Sequence, residues 1–554
     1  MQIDKENRFN FAPQVKAPRS TFLMHKNIRT TFNAGLLIPI YANSDIMPGD
    51  TFKIHGTIVC RETTSIHPTM DNAFLDVFGV FVPHRLSWEH WKEFWGENDK
   101  GAWVQTTQYQ VPQIRISSNS NSAKIVQKGD ALQYMGIPIG IPSSNDGILI
   151  SALPWRAYAI TWNELFRDEN VCPPLNIYKG DTTKSLSVSN ATWDWGAYDT
   201  NARIPPGCAP VYKYKDYFNA CLPEPQKGNP ITLPIGSSAP VKAESNKAIM
   251  LKPTTDTTTL PTGEVEIFND PTIGLYPNST TSGYGFGTQT GLYADLQNAI
   301  AATINAQRFA FAAQKILEAM ARGGSRYWEI LEYIFGVYNP NAARLQRPEL
   351  LFHRRIPINM TQVPQTSSTD STSAQGNVAA YSLTVDTNHL CTKSFVEHGT
   401  LLFLVAVRQE HSYDSGIARM WSRKDKLDFY HPQMAFLGEQ AILNKEIYAT
   451  GTATDDQVFG YNERWAELRY EPNINTGAFS TKYAQTLASW HYGDAYNSLP
   501  VYSDQWRRET PDFIDRTLVV AHTLEDQFLL DSRWEFVATR CLPMYSIPSL
   551  IDHF

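Results

Sequence analysis

Three carboxylates in the last quarter of the chain have a spacing that could support glycoside hydrolysis. Glu463, Glu467 and Glu471 share one face if residues 458–470 form a β-strand, because strand side chains alternate between two faces. A glycosidase needs two carboxyl groups facing each other across the scissile bond. Arg469 lies on that same face, however, so the pattern favours charge pairing between strands or at an interface. We therefore predict no catalytic residue here.

The other reactive residue types are not grouped at ligand or catalytic spacing. The 13 histidines form no H-x-H or H-E-x-x-H pattern. The six cysteines contain no C-x-x-C pair, so neither a zinc site nor a disulfide framework is indicated. The sequence also lacks a G-x-S-x-G elbow and a P-loop. We predict no enzyme activity, no metal and no cofactor.

The first 29 residues combine cations with aromatic rings and are predicted to form an N-terminal arm. Cations bind phosphates and aromatic faces stack on bases, so this arm is a candidate contact for single-stranded DNA. An exposed arm that packs its phenylalanines on a neighbouring molecule explains the pattern equally well, and both interpretations stay open. The candidate DNA-contact residues are Lys5, Arg8, Phe9, Phe11, Lys16, Arg19, Lys26 and Arg29.

A second basic stretch lies at residues 419–426 and contains one aromatic residue, Trp421. Its cations could bind nucleic acid phosphates. The pattern favours, somewhat more strongly, a solvated face or a contact between subunits.

Strand patterns dominate residues 30–95. Alternation of apolar and polar residues, with turn signals between the segments, is typical of a half-buried sheet. The third segment is apolar on both faces and should be covered on each side. The three predicted strands are 31–41, 51–61 and 73–82. A short helix at 87–96 follows, whose Trp88, Trp91 and Trp95 are predicted to be a packing anchor.

The middle of the chain changes character. Helical spacing of apolar residues predicts helices at 154–167 and 292–321. Residues 229–290 are rich in proline without persistent periodicity and should form a surface excursion, whereas 361–377 should be a polar loop. Strand patterns return from 378 onward, at 400–407, 458–470 and 533–539.

These patterns predict one sheet scaffold, formed by both ends of the chain and interrupted by insertions; two separate β-domains remain an alternative. The predicted regions are the arm 1–29, the first strands and tryptophan helix 30–95, a helical and loop insertion 96–228, a surface insertion 229–290, helices and a loop 291–377, and the remaining strands with the C-terminal segment 378–554.

Composition limits the classes of function. Charged residues make up 19% of the chain, below the usual 25% or so, and aromatic residues make up 12%. A surface so poor in charge favours packing against neighbours. With a net charge of −7, the chain needs a local basic patch for any nucleic-acid contact. The N-terminus lacks an apolar signal region, so we expect synthesis in a reducing cytoplasm.

Short blocks carry a family resemblance through most of the chain, in order. The first set is TTFNAG at 30–35, LIPI at 37–40, PGDTF at 48–52, MDN at 70–72, FVP at 81–83, WKEF at 91–94, LPWRAY at 153–158, WNE at 162–164 and FRD at 166–168. The second is LP at 222–223, PQKG at 225–228, ARGG at 321–324, RLQRPE at 344–349, RMWSR at 419–423, DFY at 428–430, LGEQA at 437–441, NKEIY at 444–448 and VFGY at 458–461. Together these blocks resemble the major capsid proteins of microviruses, the gokushovirus branch in particular.

The resemblance implies a mainly β fold, an eight-stranded antiparallel jelly roll with long inserted loops and a few helices. It also implies self-assembly into a small T=1 icosahedral shell around circular single-stranded DNA, with contacts at the five-, three- and two-fold axes. Residues 229–290 lie where this family carries a variable insertion that forms three-fold protrusions, and we expect a role in host attachment.

The same resemblance implies a set of partners. They are a small basic DNA-binding viral protein, internal scaffolding and DNA pilot proteins, and a host surface receptor. The mature protein is expected in the virion, after synthesis in the bacterial host cytoplasm. The alternative is a jelly-roll carbohydrate-binding protein or glycoside hydrolase, because one fold hosts many functions. The absence of a signal region and of a convergent carboxylate pair argues against that alternative.

Overall fold

The computed structural model describes most of the chain. The described residues are 18–98, 108–116, 126–139, 148–186, 203–204, 207–231, 304–324, 326–337, 346–369, 374–376 and 378–545, together with the backbone of short strands between 241 and 294.

Eight long strands form two antiparallel sheets. They are β1 (Ser20–Phe32), β2 (Leu36–Ile46), β3 (Thr51–Glu62), β4 (Ala73–Pro83), β5 (Glu349–Pro357), β6 (Thr384–Ser394), β7 (Gly399–Gln409) and β8 (Phe528–Arg540). The four-stranded sheet has the order β1-β8-β3-β6. The five-stranded sheet has the order β5-β4-β7-β2, with Ala209–Pro210 at the free edge of β2. The mainly β expectation is confirmed.

Aromatic side chains from both sheets meet between them and form the centre of the core. Phe403 of β7 lies 4.4 Å from Trp534 of β8, between ring centroids, and Tyr41 of β2 lies 5.3 Å from Phe536 of β8. All four side chains are buried. Full burial of such a side chain contributes about 1.5–3 kcal/mol, so these contacts hold the two sheets together as a β-sandwich.

The outer faces of the two sheets differ, as the strand patterns predict. Buried and exposed residues alternate along β3 and β8, and Trp534, Phe536 and Ala538 point inward as expected. In contrast, β4 and β7 are buried almost throughout. The centre of the five-stranded sheet is therefore covered on both faces, whereas the four-stranded sheet is covered on one.

A helix covers part of the outer face of the five-stranded sheet. Helix α1 (Leu153–Thr161) continues as a π-helical turn, which confirms the helix predicted at 154–167. Its Tyr158 hydroxyl donates to the Leu37 carbonyl at 2.7 Å and accepts from the Ala209 N–H at 2.7 Å. Trp162 donates its indole N–H to the Pro210 carbonyl at 2.8 Å. The helix thus ties β2 to the short edge strand.

The strand predicted at 31–41 is wrong, because the chain turns within it. Strand β1 ends at Phe32, and β2 begins at Leu36. Gly35 between them has φ +82°, and a Cβ there would lie 2.4 Å from the Glu509 carbonyl oxygen, so only glycine fits this turn. Because β1 already begins at Ser20, residues 20–29 of the predicted arm belong to the sandwich.

Two further predictions about strands need correction. Strand β5 lies inside 291–377, which was expected to hold only helices and a loop, and strands Met360–Pro364 and Val378–Ser382 pair at the ends of the loop predicted at 361–377. The strand predicted at 458–470 ends at Glu463, since Trp465 adopts a left-handed conformation with φ +64° and turns the chain away.

The single helix predicted at 87–96 is instead two short turns, His84–Ser87 and Trp91–Phe94. Trp88 is fully buried and donates its indole N–H to Asp181 at 2.7 Å, as a packing anchor would. Trp95 does not share that role, because it is 60% exposed.

Residues Gln226–Ala319 form a second compact unit. Three antiparallel strand pairs are nested in it: Val241–Ala243 with Leu292–Ala294, Leu251–Pro253 with Tyr284–Phe286, and Ile267–Asp270 with Gly274–Pro277. The helix predicted to begin at 292 is wrong at its start, because 292–294 is a strand. Helix α2 runs over Ile304–Gly323, and helix α3 over Tyr327–Phe335.

The remaining described elements are short. The strands are Gln113–Ile116, Ile148–Ser151, Lys184–Leu186, Arg203–Ile204, Ser412–Tyr413, Glu439–Leu443, Val458–Glu463 and Asn473–Ile474. The helical turns are Ala131–Tyr134, Arg419–Ser422, Lys426–Asp428, Pro432–Met434, Asn444–Ile447, Ala453–Asp456, Ala466–Leu468, Gly477–Phe479, Ala488–Trp490, Asp504–Arg507 and Asp512–Asp515. Among the described residues, no helix is long and apolar enough to cross a bilayer.

Candidate assembly and nucleic-acid surfaces

The predicted DNA-contact residues do not form one surface where the structure describes them. Three lie near or on β1. Arg19 donates to the Gly49 carbonyl at 2.6 Å, Lys26 lies 4.9 Å from the ring centre of Tyr41, and Arg29 is on the opposite, outer face. The side chain of Arg29 is 81% exposed on that outer face. Outside the described residues lie Lys5, Arg8, Phe9, Phe11 and Lys16.

The outer face of the four-stranded sheet, which we call the bare face, carries a row of imidazole rings. His25, Glu535, His55 and His389 are direct partners in register across β1, β8, β3 and β6. The rings of His55 and His389 lie 4.7 Å apart, and His25 Nδ1 lies 3.7 Å from Glu535 Oε1. This row joins residues from four distant parts of the sequence, so no local pattern signals it.

Cations surround that row on the bare face. Arg533 pairs with Glu535 at 3.0 Å, and Arg29 pairs with Asp531 at 3.4 Å. Lys53 and Arg61 project from the same face of β3 and are exposed. Within the described part of the chain, neither has a side-chain partner. The face thus has free positive charge in a chain whose net charge is −7.

Beside Arg61, a cavity of about 580 Å³ opens against the loop that precedes the Ala131–Tyr134 turn. Arg29, Arg61 and Lys128 line it, and Lys128 pairs with Asp526 at 2.9 Å. The bare face therefore continues into a concave, basic end.

A second exposed surface is the segment 417–437, which we call the aromatic strap. It consists of three short helical turns, Arg419–Ser422, Lys426–Asp428 and Pro432–Met434. Its large apolar side chains point outward, with Trp421 at 75% and Phe436 at 96% exposure. Also exposed are Ile417, Met420, Leu427, Phe429, Tyr430 and Leu437. Contiguous apolar exposure of this kind marks a contact with another molecule.

Ion pairs hold the strap in place despite its exposure. Arg419 contacts Glu446 at 3.2 Å, Arg423 contacts Glu467 at 3.5 Å, and the ring of Tyr430 meets Trp465. Two cations of the predicted basic stretch 419–426 are therefore used to anchor the segment. This geometry favours the intersubunit interpretation of the stretch over nucleic-acid contact.

The three candidate carboxylates do not converge as a glycosidase pair would. Glu463 ends its strand and pairs with Arg322 and Arg469, whereas Glu467 lies in the following turn and pairs with Arg423. Glu463 and Glu467 are thus held in ion pairs, as the sequence pattern favours, and Glu471 is an exposed side chain beyond them.

A buried charge cluster lies next to the end of β7. His411 Nδ1 lies 2.6 Å from Asp494 Oδ1, and its Nε2 lies 3.1 Å from Glu509. Lys213 Nζ donates to Asp494 Oδ2 at 3.1 Å. The side chains of His411, Asp494 and Glu509 are fully buried. Sequence reasoning missed this cluster, because its members come from separate loops.

The pKa values in this cluster follow from opposing causes. Burial by itself lowers the pKa of His411, but the carboxylates of Asp494 and Glu509 outweigh it and raise that pKa to about 9. Burial likewise tends to raise the pKa of Asp494, but His411 and Lys213 hold it well below its ordinary range. His411 and Asp494 are therefore both charged at neutral pH, and their ion pair acts as a buried structural anchor.

One group of residues has the composition of a cation site. Asp512, Asp515 and His522 bring their ligand atoms within 4.8 Å of one another. Asp515 already accepts hydrogen bonds from the His522 backbone N–H at 2.9 Å and from Gln527 at 2.6 Å, so its carboxylate is engaged by the protein itself. The group fits a hydrogen-bonded loop anchor.

The large apolar segment exposed on this β-sandwich indicates a protein that works through contacts with other molecules. Residues 12–550 match the family described as "Capsid protein (F protein)", and the chain belongs to this family. It is therefore a structural capsid protein, and the family confirms the expectation that it is not an enzyme.

Individual capsid proteins are similar to the chain over nearly its whole length. "Capsid protein VP1" of Bdellovibrio phage phiMH2K is 35% identical over 562 residues, covering 99% of this chain and 99% of that protein. "Capsid protein VP1" of Spiroplasma virus 4 is 35% identical over 96% of this chain and 95% of that protein, and that of Chlamydia phage 1 is 33% identical over 98% of each. All three are microviruses.

Proposed function

We propose that this chain is the major coat subunit of a microvirus and that its copies build a small T=1 icosahedral shell around circular single-stranded DNA. Membership of a capsid protein family means self-assembly into a capsid. The T=1 geometry of the shell and the single-stranded DNA inside it go beyond family membership and are part of the proposal. Closed symmetry repeats each subunit contact many times, so individually weak contacts suffice.

We infer in addition that the eight long strands form a jelly roll. The support is the pairing pattern: β1 pairs with β8, β2 with β7, β3 with β6, and β4 with β5. A long antiparallel hairpin that is rolled up into two facing sheets has this nested pairing, and double-sheet jelly rolls are common in viral coats.

The aromatic strap is the observation that carries assembly. Trp421, Phe429, Tyr430 and Phe436 are each at least half exposed. With about 150–250 Å² of surface per aromatic side chain, the four rings expose on the order of 500 Å². A standard interface buries about 800 Å² per partner, so the strap can supply most of one. A second copy of this chain is the occupant that a capsid protein provides.

The double variant Trp421→Ser/Phe436→Ser tests this proposal. Because both side chains are exposed, we expect the free energy of unfolding to change by no more than about 0.5 kcal/mol. Shell formation should fall at least about tenfold, since buried aromatic anchors dominate interface energies. Electron microscopy and sedimentation measure the yield of shells from the full chain produced together with its viral partners.

Val501→Ser/Leu524→Ser is the matched control, because both residues are exposed apolar side chains outside the strap. The control should assemble like the natural chain. Normal shell yield from the strap variant would contradict the assignment of the strap to a subunit contact.

The remaining partners are the ones that the family resemblance implies, namely a small basic DNA-binding protein, internal scaffolding proteins and DNA pilot proteins. The net charge of −7 supports the first of these, because a coat of that charge cannot neutralise a genome by itself. The N-terminal arm, with Lys5, Arg8, Lys16 and the adjoining phenylalanines, is proposed as one DNA contact. Residues 229–290 are proposed as a three-fold protrusion used to attach to a host receptor, and synthesis is proposed in the host cytoplasm.

A further inference from the structure

The bare face is a broad, exposed surface at the centre of the fold. Its apolar residues remain in solvent, with Leu23 at 66%, Val385 at 58% and Leu529 at 44% exposure, on three different strands. The corresponding face of the five-stranded sheet is covered by α1 and the segments beside it. A sheet face of this size stays uncovered only if it is solvated or if something outside the chain binds it.

The charge of the bare face limits what can bind it. Arg29, Arg533, Lys53 and Arg61 project from it, against two carboxylates, Asp531 and Glu535. Its charge is thus opposite in sign to that of the chain. A basic polypeptide would be repelled, whereas a polyanion would be attracted.

The shape of the face and its aromatic rings favour an unpaired strand. Lys53 and Arg61 are eight residues apart on β3, which corresponds to about 27 Å along the strand. The adjacent His55 and His389 rings lie between the ends of that span on the solvent side. A four-stranded sheet is too wide for a duplex groove, which admits a helix or a two-stranded ribbon, but it can stack splayed bases on its rings while cations hold the phosphates.

We propose that the bare face binds single-stranded DNA, with Lys53 and Arg61 as phosphate contacts and the His55–His389 pair as a stacking platform for bases. Arg29 and Arg533 adjoin these contacts while they keep their carboxylate partners. This inference rests on the proposed role as the coat of a single-stranded DNA genome. It adds a second, folded contact to the N-terminal arm and names the residues that make it.

The double variant Lys53→Gln/Arg61→Gln tests the phosphate contacts. The probe is a fluorescent single-stranded oligonucleotide, titrated with the unassembled full chain over a range of salt concentrations. Each phosphate contact to a single strand contributes about 0.7 to the slope of log K against log salt, so the slope should become shallower by about 1.4. The affinity at low salt should fall about tenfold.

The control Lys179→Gln/Lys215→Gln removes the same charge from two exposed lysines outside the bare face. Its affinity and salt slope should match those of the natural chain. A second variant, His55→Gln/His389→Gln, should weaken binding about fivefold or more and leave the salt slope unchanged, because stacking releases no counterions. Thermal unfolding of every variant checks that the sandwich is intact.

Three outcomes overturn the inference: an unchanged salt slope for Lys53→Gln/Arg61→Gln, an equal loss in the control, or a loss only in a variant that neutralises the N-terminal arm. Shell formation and the DNA content of the particles are measured in parallel. Shells that assemble normally, with natural amounts of DNA in the bare-face variant, would remove this site and leave the coat function standing. A natural chain that forms no shells with its viral partners would instead contradict the proposed function.

Discussion

The two sheets of the sandwich share one core but differ on their outer faces. β7, at the centre of the five-stranded sheet, is buried at every position except Arg408, whereas β8, in the four-stranded sheet, alternates between buried and exposed residues. Both strands contribute aromatic rings to the same interior, through Phe403 and Trp534. The effect of a substitution on an outer face therefore depends on the sheet. On the covered face of the five-stranded sheet it should lower the free energy of unfolding, whereas on the bare face it should weaken contacts with other molecules.

The largest difference is expected between buried and exposed charges. Asp494→Asn leaves His411 and Lys213 with too little buried negative charge, and breaking such a buried pair costs about 3–5 kcal/mol of unfolding free energy. Asp531→Asn breaks only the exposed pair with Arg29 and should cost about 0–1 kcal/mol. Chemical denaturation of both variants measures the difference. Equal costs would show that the two environments are not distinct.

Apolar side chains should show the same contrast between the two faces, with slightly smaller losses of unfolding free energy. Leu404 of β7 is fully buried on the covered side, and Leu404→Ala should lower the unfolding free energy by about 2–5 kcal/mol. Leu529 of β8 is 44% exposed on the bare face, and Leu529→Ala should change it by about 0.5 kcal/mol or less. A large loss for Leu529→Ala would mean that the bare face is covered within the subunit.

The smallest expected effect is a dependence of stability on pH. The folded pKa of His411, about 9, lies above its ordinary value near 6.5, so its stabilising effect is complete below pH 6.5 or so and is lost as pH rises through 9. Because each pKa unit corresponds to about 1.4 kcal/mol, the unfolding free energy should fall by on the order of 3 kcal/mol or less across that window. Denaturation at a series of pH values measures it.

His411→Gln should abolish that decline, although it lowers stability at all pH values by removing a buried partner of Asp494. A natural chain whose stability does not change between pH 6.5 and 9 would contradict the assignment of a charged His411.

The sequence predicts what depends on local periodicity. The alternation in β3 and β8 and the continuous apolar run of β7 translate directly into burial, because strand side chains follow a period of two. The helix α1 is predicted for the same reason, because the spacing of its apolar residues is a local pattern. The error at 31–41 has a local cause as well: even-numbered apolar residues continue through the Gly35 turn, so the pattern hides the break.

The candidate surfaces depend on tertiary structure and were mostly beyond prediction. The row on the bare face exists only because His25, His55, His389 and Glu535 come into register from distant strands. Exposure of the aromatic strap also has no sequence signal, since a segment with Trp421 and Phe436 would ordinarily be expected in a core. The family resemblance supplied the function that periodicity alone could not.

A cryo-EM reconstruction of the assembled particle tests the central claim most directly, because it shows what lies on each exposed surface of the subunit. We expect Trp421 and Phe436 to be buried against a second copy, and the bare face with Lys53 and Arg61 to point toward the enclosed DNA. A particle in which the strap lies in solvent and the bare face is turned away from the genome would contradict both assignments.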